Sequence, residues 1–188
     1  MSDTVDNPFF ARLWTAMSSR EPESLRRLRR QNLTGLSGRV LEVGAGTGTN
    51  FLCYPATVTE GVAAEPERRL AVLARKPDSA AVLCSLVLCS VDAPAKAVGQ
   101  LFSMLRPGGE LRYLEHVASA GPRARLQRIA DATLWPRMFG NCHTHRHTEE
   151  TIVGAGFRVT GAHRDWTFPA WVPVPVAEFA SGVAVKPA

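Results

Sequence analysis

Arg39-Val40-Leu41-Glu42-Val43-Gly44-Ala45-Gly46-Thr47-Gly48-Thr49-Asn50 is the stretch that decides the fold. Val40 to Val43 is an apolar run broken only by Glu42, the pattern of a strand buried on both faces of a parallel sheet. Three glycines follow at alternate positions. Without a Cβ, glycine turns the chain sharply and lets a ligand approach the backbone. A strand, such a turn and then a helix form a cofactor-cradling unit at the carboxyl edge of a parallel sheet. A dinucleotide fingerprint needs its third glycine at the sixth place, which is Thr49 here. The pattern is instead Gly-x-Gly-x-Gly, with a carboxylate two residues ahead of the first glycine.

Working outward, a helix is expected over about 49–54, stopping before Pro55. Residues 59–66 read as a second strand with an acidic end, Glu65-Pro66. Glu65 stands where a strand-end carboxylate accepts hydrogen bonds from a ribose diol. A short helix is expected over 67–76. The apolar run from Ala80 to Val91 follows almost at once, with Ala80–Leu83 as its strand. Asp92 then caps a helix ending at Leu105, and Leu105-Arg106-Pro107-Gly108-Gly109 turns into a strand over 110–114. That strand delivers Glu115 and His116 to the carboxyl edge, where active sites of open α/β sheets form. Helices are expected over 121–138, with Leu126, Ile129, Leu134 and Trp135 apolar, and over 149–154, with Thr148 as its cap. Strands over 157–166 and 176–185 close the chain as a hairpin.

These motifs resemble class I S-adenosylmethionine-dependent methyltransferases, and the resemblance covers about residues 38–186. The glycine turn matches the family's first motif and Glu65 its second signature. The Leu105–Gly109 turn is close to verbatim. Leu86-Val87-Leu88-Cys89-Ser90-Val91 and Tyr113-Leu114-Glu115-His116-Val117 are similar to the ubiquinone-biosynthesis type and to its thiol-methylating group. The resemblance implies an α/β, Rossmann-like, mostly parallel sheet with an antiparallel C-terminal hairpin. It implies S-adenosyl-L-methionine as cofactor, held by Glu42, Gly44, Ala45, Gly46, Gly48, Asn50, Glu65, Pro66, Ser85 and Leu86. It also implies methyl transfer to a small lipophilic thiol, oxygen or nitrogen nucleophile. His116 becomes the candidate catalytic base, and Cys142 and His143 the substrate neighbours.

One departure stands out. The family's third strand, at the outer edge of the sheet, and the polar loop that holds adenine have no counterpart between 67 and 80. The expected consequence is an open adenine side and weaker cofactor binding. The same gap motivates a rival reading, a relative without catalysis or without cofactor. A nicotinamide oxidoreductase is disfavoured by the glycine spacing.

Composition narrows the rest. The chain has 188 residues, 45% hydrophobic and 21% charged, as in soluble globular proteins. We expect an N-terminal helical cap over 1–37 and a catalytic domain over 38–188. Phe9, Phe10, Leu13, Trp14 and Met17 share one face of a helix in that cap, which suits packing over the sheet or the cofactor cleft. A second helix follows over 22–34, opened by Pro22 and closed by Gly35. The net charge of +5 is mostly arginine near Arg26, Arg27, Arg29 and Arg30, read as the solvated face of that helix. No aromatic-rich basic motif points to nucleic acid. No apolar run is long enough to span a bilayer, and the apolar membrane-directed N-terminus of the thiol-methylating group is missing. Cys53, Cys84, Cys89 and Cys142 make no disulfide framework, which suits a reducing cytoplasm. The partner expected is a small-molecule substrate, with the oligomeric state left open. Cys142, His143, His145 and His147 raise the question of a metal. Zinc sites draw ligands from separated elements, so this single cluster reads as a loop without metal.

Overall fold

The computed structural model describes residues 8–64, 79–169 and 171–188. Two helices lead, α1 (Pro8–Ser18) and α2 (Glu23–Leu33). Then come β1 (Gly38–Val43), β2 (Val58–Ala64), β3 (Ser79–Ser85), α3 (Pro94–Met104) and β4 (Leu105–His116). Helices α4 (Gly121–Asp131), α5 (Trp135–Met138) and α6 (Thr148–Gly154) precede the closing strands β5 (Arg158–Trp166) and β6 (Glu178–Val185). The described strands form one sheet in the order β2-β1-β3-β4-β6-β5. Strands β1 to β4 run parallel, and β6 is antiparallel to both β4 and β5.

Alternation along each strand assigns side chains to two covered faces. Leu41, Val43, Val82, Cys84, Leu111 and Tyr113 point to one face and pack with Val98, Leu101, Met104 and Ile152 of α3 and α6. Val40, Ala81 and Leu83 point to the other and meet Leu33 and Leu36. Leu28 of α2 packs with Leu114 and Phe179, so α2 is built into the sheet's flank. The chain leaves β1 for β2 on one side and returns to β3 on the other. That reversal opens a crevice beyond the carboxyl ends of β1 and β3, where open α/β sheets bind their ligands.

Several local expectations change. The segment after the glycine turn is a 3₁₀ turn at Phe51–Cys53, not an α-helix. Asn50 is drawn inward and Pro55 closes the segment, so no room for a longer winding remains. The helix expected over 121–138 breaks after Asp131, because its carboxylate accepts from the backbone N–H of Thr144 (2.7 Å) and His145 (2.9 Å). Ile129 and Leu134 consequently face outward, and Ala124 and Gln127 are the buried residues of α4. Neither expected helix cap forms. Asp92 accepts from Asn141 Nδ2 at 2.7 Å instead, and Thr148 lies inside α6 with no cap bond from its hydroxyl. The Arg106–Gly109 turn is absorbed into β4 as an irregularity, with Ser79 opposite Leu105 and Ala81 opposite Glu110. Of the arginine run, Arg29 turns inward and is 3% exposed, bonded to Glu21 at 2.8 Å. The expected helix over 67–76 lies outside the described residues.

Candidate active site

The glycine turn needs its glycines. Gly44, Gly46 and Gly48 have φ of 68°, 53° and 76°, a region that side-chain-bearing residues rarely adopt. A Cβ on Gly44 would strike Val87, and one on Gly48 would stand 2.8 Å from the Phe51 ring. One on Gly46 would lie 3.2 Å from Trp14 Nε1, so α1 covers the turn. The bare backbone between Val87 and Trp14 is a cradle that any Cβ would fill. Ala45 is buried, and its carbonyl accepts from Gly48 N–H at 2.8 Å. Gly44 N–H donates to the Ala64 carbonyl at 2.7 Å and ties the turn to the end of β2.

A buried polar network supports the turn from below. Asn50 Nδ2 donates to Glu42 Oε1 at 2.8 Å and to Ser85 Oγ at 3.1 Å. Arg29 Nη1 donates to Asn50 Oδ1 at 2.9 Å. The Tyr54 hydroxyl donates to Glu42 Oε2. Glu42 and Asn50 are each 2% exposed, so both are held by protein partners at the floor of the crevice. Burial, then the bond to Glu42, push the Tyr54 phenol far above its ordinary range. Glu65 and Pro66 lie outside the described residues.

The turn after β3 forms the opposite wall. Leu86 has φ of 61°, costly for a residue with a branched side chain. Its N–H donates to the Leu114 carbonyl at 2.8 Å. The next three N–H groups, of Val87, Leu88 and Cys89, all donate to the Glu115 carboxylate at 3.0, 3.0 and 3.1 Å. Glu115 is fully buried, and burial pushes its pKa up against the pull of those three bonds. This anchor was not legible in the sequence, where Glu115 is only a strand-end acid.

The loop at 140–146 is fastened to the same turn. Gly140 and Asn141 both adopt positive φ, 60° and 62°. Asn141 Nδ2 donates to the Ser90 carbonyl at 2.8 Å, and His143 N–H donates to the Cys89 carbonyl at 2.8 Å. Arg146 Nη1 donates to the Leu88 carbonyl at 2.9 Å. Cys142 thereby reaches Cys89, with Sγ atoms 3.8 Å apart, and His116, with its Nδ1 3.5 Å from Cys142 Sγ. The His116 ring also rests on Phe179, 4.6 Å between centroids. The Cys142 thiol and burial together push the Cys89 thiol well above its usual range. Of the sequence-predicted substrate side, the structure brings His116 and Cys142 together. It engages His143 through its backbone. Trp14 packs over the cofactor turn, as the spacing of its helix face suggested, and Cys89 lies in the segment that carries the family resemblance. Arg146 joins the site without having been singled out.

Residues 17–153 match the family model of a methyltransferase domain. The chain belongs to this family of S-adenosylmethionine-dependent methyltransferases. It is 33% identical to thiol S-methyltransferase TMT1B of Mus musculus, over 95% of this chain and 85% of that protein. That alignment runs over 210 positions, more than the 188 residues here, so the mouse protein carries segments this chain lacks. Among solved structures, an S-adenosylmethionine-dependent methyltransferase from Thermotoga maritima aligns with TM-score 0.62 and 20% identity, over 95% of this chain and 98% of that one. The N-methyltransferase NodS from Bradyrhizobium japonicum, in complex with S-adenosyl-L-homocysteine, aligns with TM-score 0.61 and 14% identity, over 98% and 90%. The Rossmann-like fold and the methyltransferase assignment agree with the sequence reading. No described helix is long and apolar enough to cross a membrane.

Proposed function

We propose that this methyltransferase acts on small lipophilic thiols. The observation that carries the acceptor class is the 33% identity to a thiol S-methyltransferase over 95% of the chain. When bound, the cofactor supplies a methyl group on a positively charged sulfur. The protein's task is alignment of the nucleophile, which can contribute roughly 7–11 kcal/mol. In our reading Gly44, Ala45, Gly46 and Gly48 present bare backbone to the cofactor, and Glu42 and Asn50 brace that backbone. Ser85 and Leu86 line the wall toward the methyl group, and Glu65 with Pro66 lie along the ribose. His116, Cys142 and His143 border the acceptor. Residues 1–37 serve as a helical cap, supported by Trp14 against Gly46. The free cysteines favour a reducing cytoplasm as the setting.

The test is direct. The purified protein is incubated with the cofactor and matched alkyl thiols, alcohols and amines. Release of S-adenosylhomocysteine and the methylated product are followed by mass spectrometry. Thioether formation with long alkyl thiols is the expected result. Turnover restricted to the amines or alcohols would overturn the acceptor class.

A further inference from the structure

Cys89, His116 and Cys142 come from three elements, namely the turn after β3, the last residue of β4 and the 140–146 loop. Their donor atoms lie within 4.8 Å of one another. We propose that these three residues form a zinc site with an open fourth position, and that this position takes the acceptor thiol as its thiolate. The second half rests on the thiol reading above.

Two of the three edges between the donors have the lengths of a tetrahedral site, and the third lies within 4.8 Å. Zinc arms of about 2.3 Å to sulfur and 2.05 Å to nitrogen place two sulfurs ~3.8 Å apart and a sulfur and a nitrogen ~3.6 Å apart. The observed separations are 3.8 Å between Cys89 Sγ and Cys142 Sγ and 3.5 Å between Cys142 Sγ and His116 Nδ1. A disulfide needs about 2.05 Å between sulfurs, so the pair stands at the edge length of a coordination tetrahedron rather than at bonding distance. Two thiolates and an imidazole select zinc over calcium or magnesium. Three protein ligands with one vacancy are the usual complement of a catalytic zinc.

The framework around the donors is built in advance. Glu115 fixes the turn that carries Cys89 through three bonds, one of them to the Cys89 N–H itself. The His143 N–H to Cys89 carbonyl bond fixes Cys142 beside it. Arg146, bonded to the Leu88 carbonyl next to Cys89, adds a positive charge to the same turn, where two thiolates and a third would accumulate negative charge. The sulfurs are buried while His116 is half-exposed, so the vacancy opens on the histidine's side. The turn that bears Cys89 also bears Val87, which packs on Gly44, so the metal adjoins the cofactor cradle.

The step balances without a protein base. On coordination the acceptor thiol gives its proton to solvent water. Its sulfur lone pair forms the new sulfur–carbon bond as the bond from the methyl to the sulfonium breaks. That bonding pair stays on the cofactor's sulfur. The products are a methyl thioether and S-adenosylhomocysteine, and the neutral thioether leaves the metal more easily than a thiolate. His116 acts here as a ligand through Nδ1.

The experiment uses the full chain, reduced, stripped of metal with a chelator and titrated with cobalt(II) alone. One equivalent should produce thiolate-to-cobalt charge-transfer bands and the intense visible bands of a tetrahedral site, both bleached by zinc. Cys142→Ser should weaken cobalt binding roughly tenfold or more and remove about half of the charge-transfer intensity, since one of two thiolates is lost. His116→Ala, at a half-exposed position, should shift the visible bands and keep both thiolate bands. His145→Ala in the same loop should change nothing. Adding an alkanethiol should perturb the visible bands, and adding the corresponding alcohol should not. A folded protein that binds S-adenosylhomocysteine by calorimetry yet gives no tetrahedral cobalt spectrum overturns the metal site and leaves methyl transfer standing. A spectrum indifferent to Cys89→Ser and Cys142→Ser overturns the ligand set. A tetrahedral spectrum indifferent to alkanethiol overturns the fourth-position assignment. A Cys89–Cys142 disulfide that forms equally with and without zinc also overturns the site.

Discussion

The Trp14 indole nitrogen stands 3.2 Å from where a Cβ on Gly46 would be. The first helix therefore rests on the central glycine of the cofactor turn, and Thr47 Oγ1 adds a 3.2 Å bond to Ser18 Oγ. A ligand that reaches the turn must share it with this indole. Binding of S-adenosylhomocysteine should change the intrinsic fluorescence, and Trp14→Phe should remove most of that change while binding persists. A full fluorescence change in the Trp14→Phe protein would place the cofactor elsewhere.

Gly46→Val should abolish S-adenosylhomocysteine binding. The substitution fills the backbone approach and forces a β-branched residue to φ of 53°. Calorimetry on the variant, with its fold verified by circular dichroism, is the measurement. Unchanged affinity would refute the assignment of this turn to the cofactor.

Glu65→Ala should weaken the cofactor. Losing a charged hydrogen-bond acceptor costs about 1.5–3 kcal/mol, which corresponds to roughly 10- to 150-fold in the dissociation constant. An effect below about twofold would mean the carboxylate points away from the ribose.

Glu115→Gln should destabilise the protein without changing its length or shape. The neutral amide oxygen cannot satisfy the three N–H groups that the carboxylate now serves. A loss of about 2–4 kcal/mol follows, or roughly 5–15 °C in melting temperature at this size. A variant that melts with the wild type would show that the turn is held by other bonds.

Both tyrosines of the chain should resist alkaline titration. Burial raises the phenols of Tyr54 and Tyr113, beside Glu42 and Glu149 respectively. An unfolded tyrosine ionises near pH 10. Above that pH the unfolded chain releases protons that the folded chain keeps, so stability falls as pH rises from about 10 toward the folded values. Tyrosinate absorbance should therefore appear only with the unfolding transition. Reversible ionisation near pH 10 in the folded protein would contradict the placement of the two hydroxyls against Glu42 and Glu149.

Much of this architecture was legible in the residues. Val40–Val43 and the glycines that follow announced the first strand and its turn, because buried parallel strands and positive-φ turns restrict residue choice severely. The closing hairpin and the strand beginning near Glu110 were legible for the same reason. The break after Asp131 was not, since it depends on which distant N–H groups that carboxylate captures. The 3₁₀ turn at Phe51–Cys53 was hidden too, because Asn50 reads as a surface residue until Glu42, Ser85 and Arg29 close around it. His116 and Cys142 stood out singly, but their meeting with Cys89 follows from two consecutive left-handed residues, Gly140 and Asn141. Residue spacing carries no trace of that convergence.

Residues 86–92 belong to two walls at once. Val87 bears on Gly44, while Cys89, Ser90 and Asp92 are bonded to the 140–143 loop. A displacement that makes room for one ligand is transmitted to the other through a segment only seven residues long. Occupancy on the two sides is then thermodynamically linked. Whatever factor the cofactor contributes to the affinity for the acceptor, the acceptor returns to the cofactor.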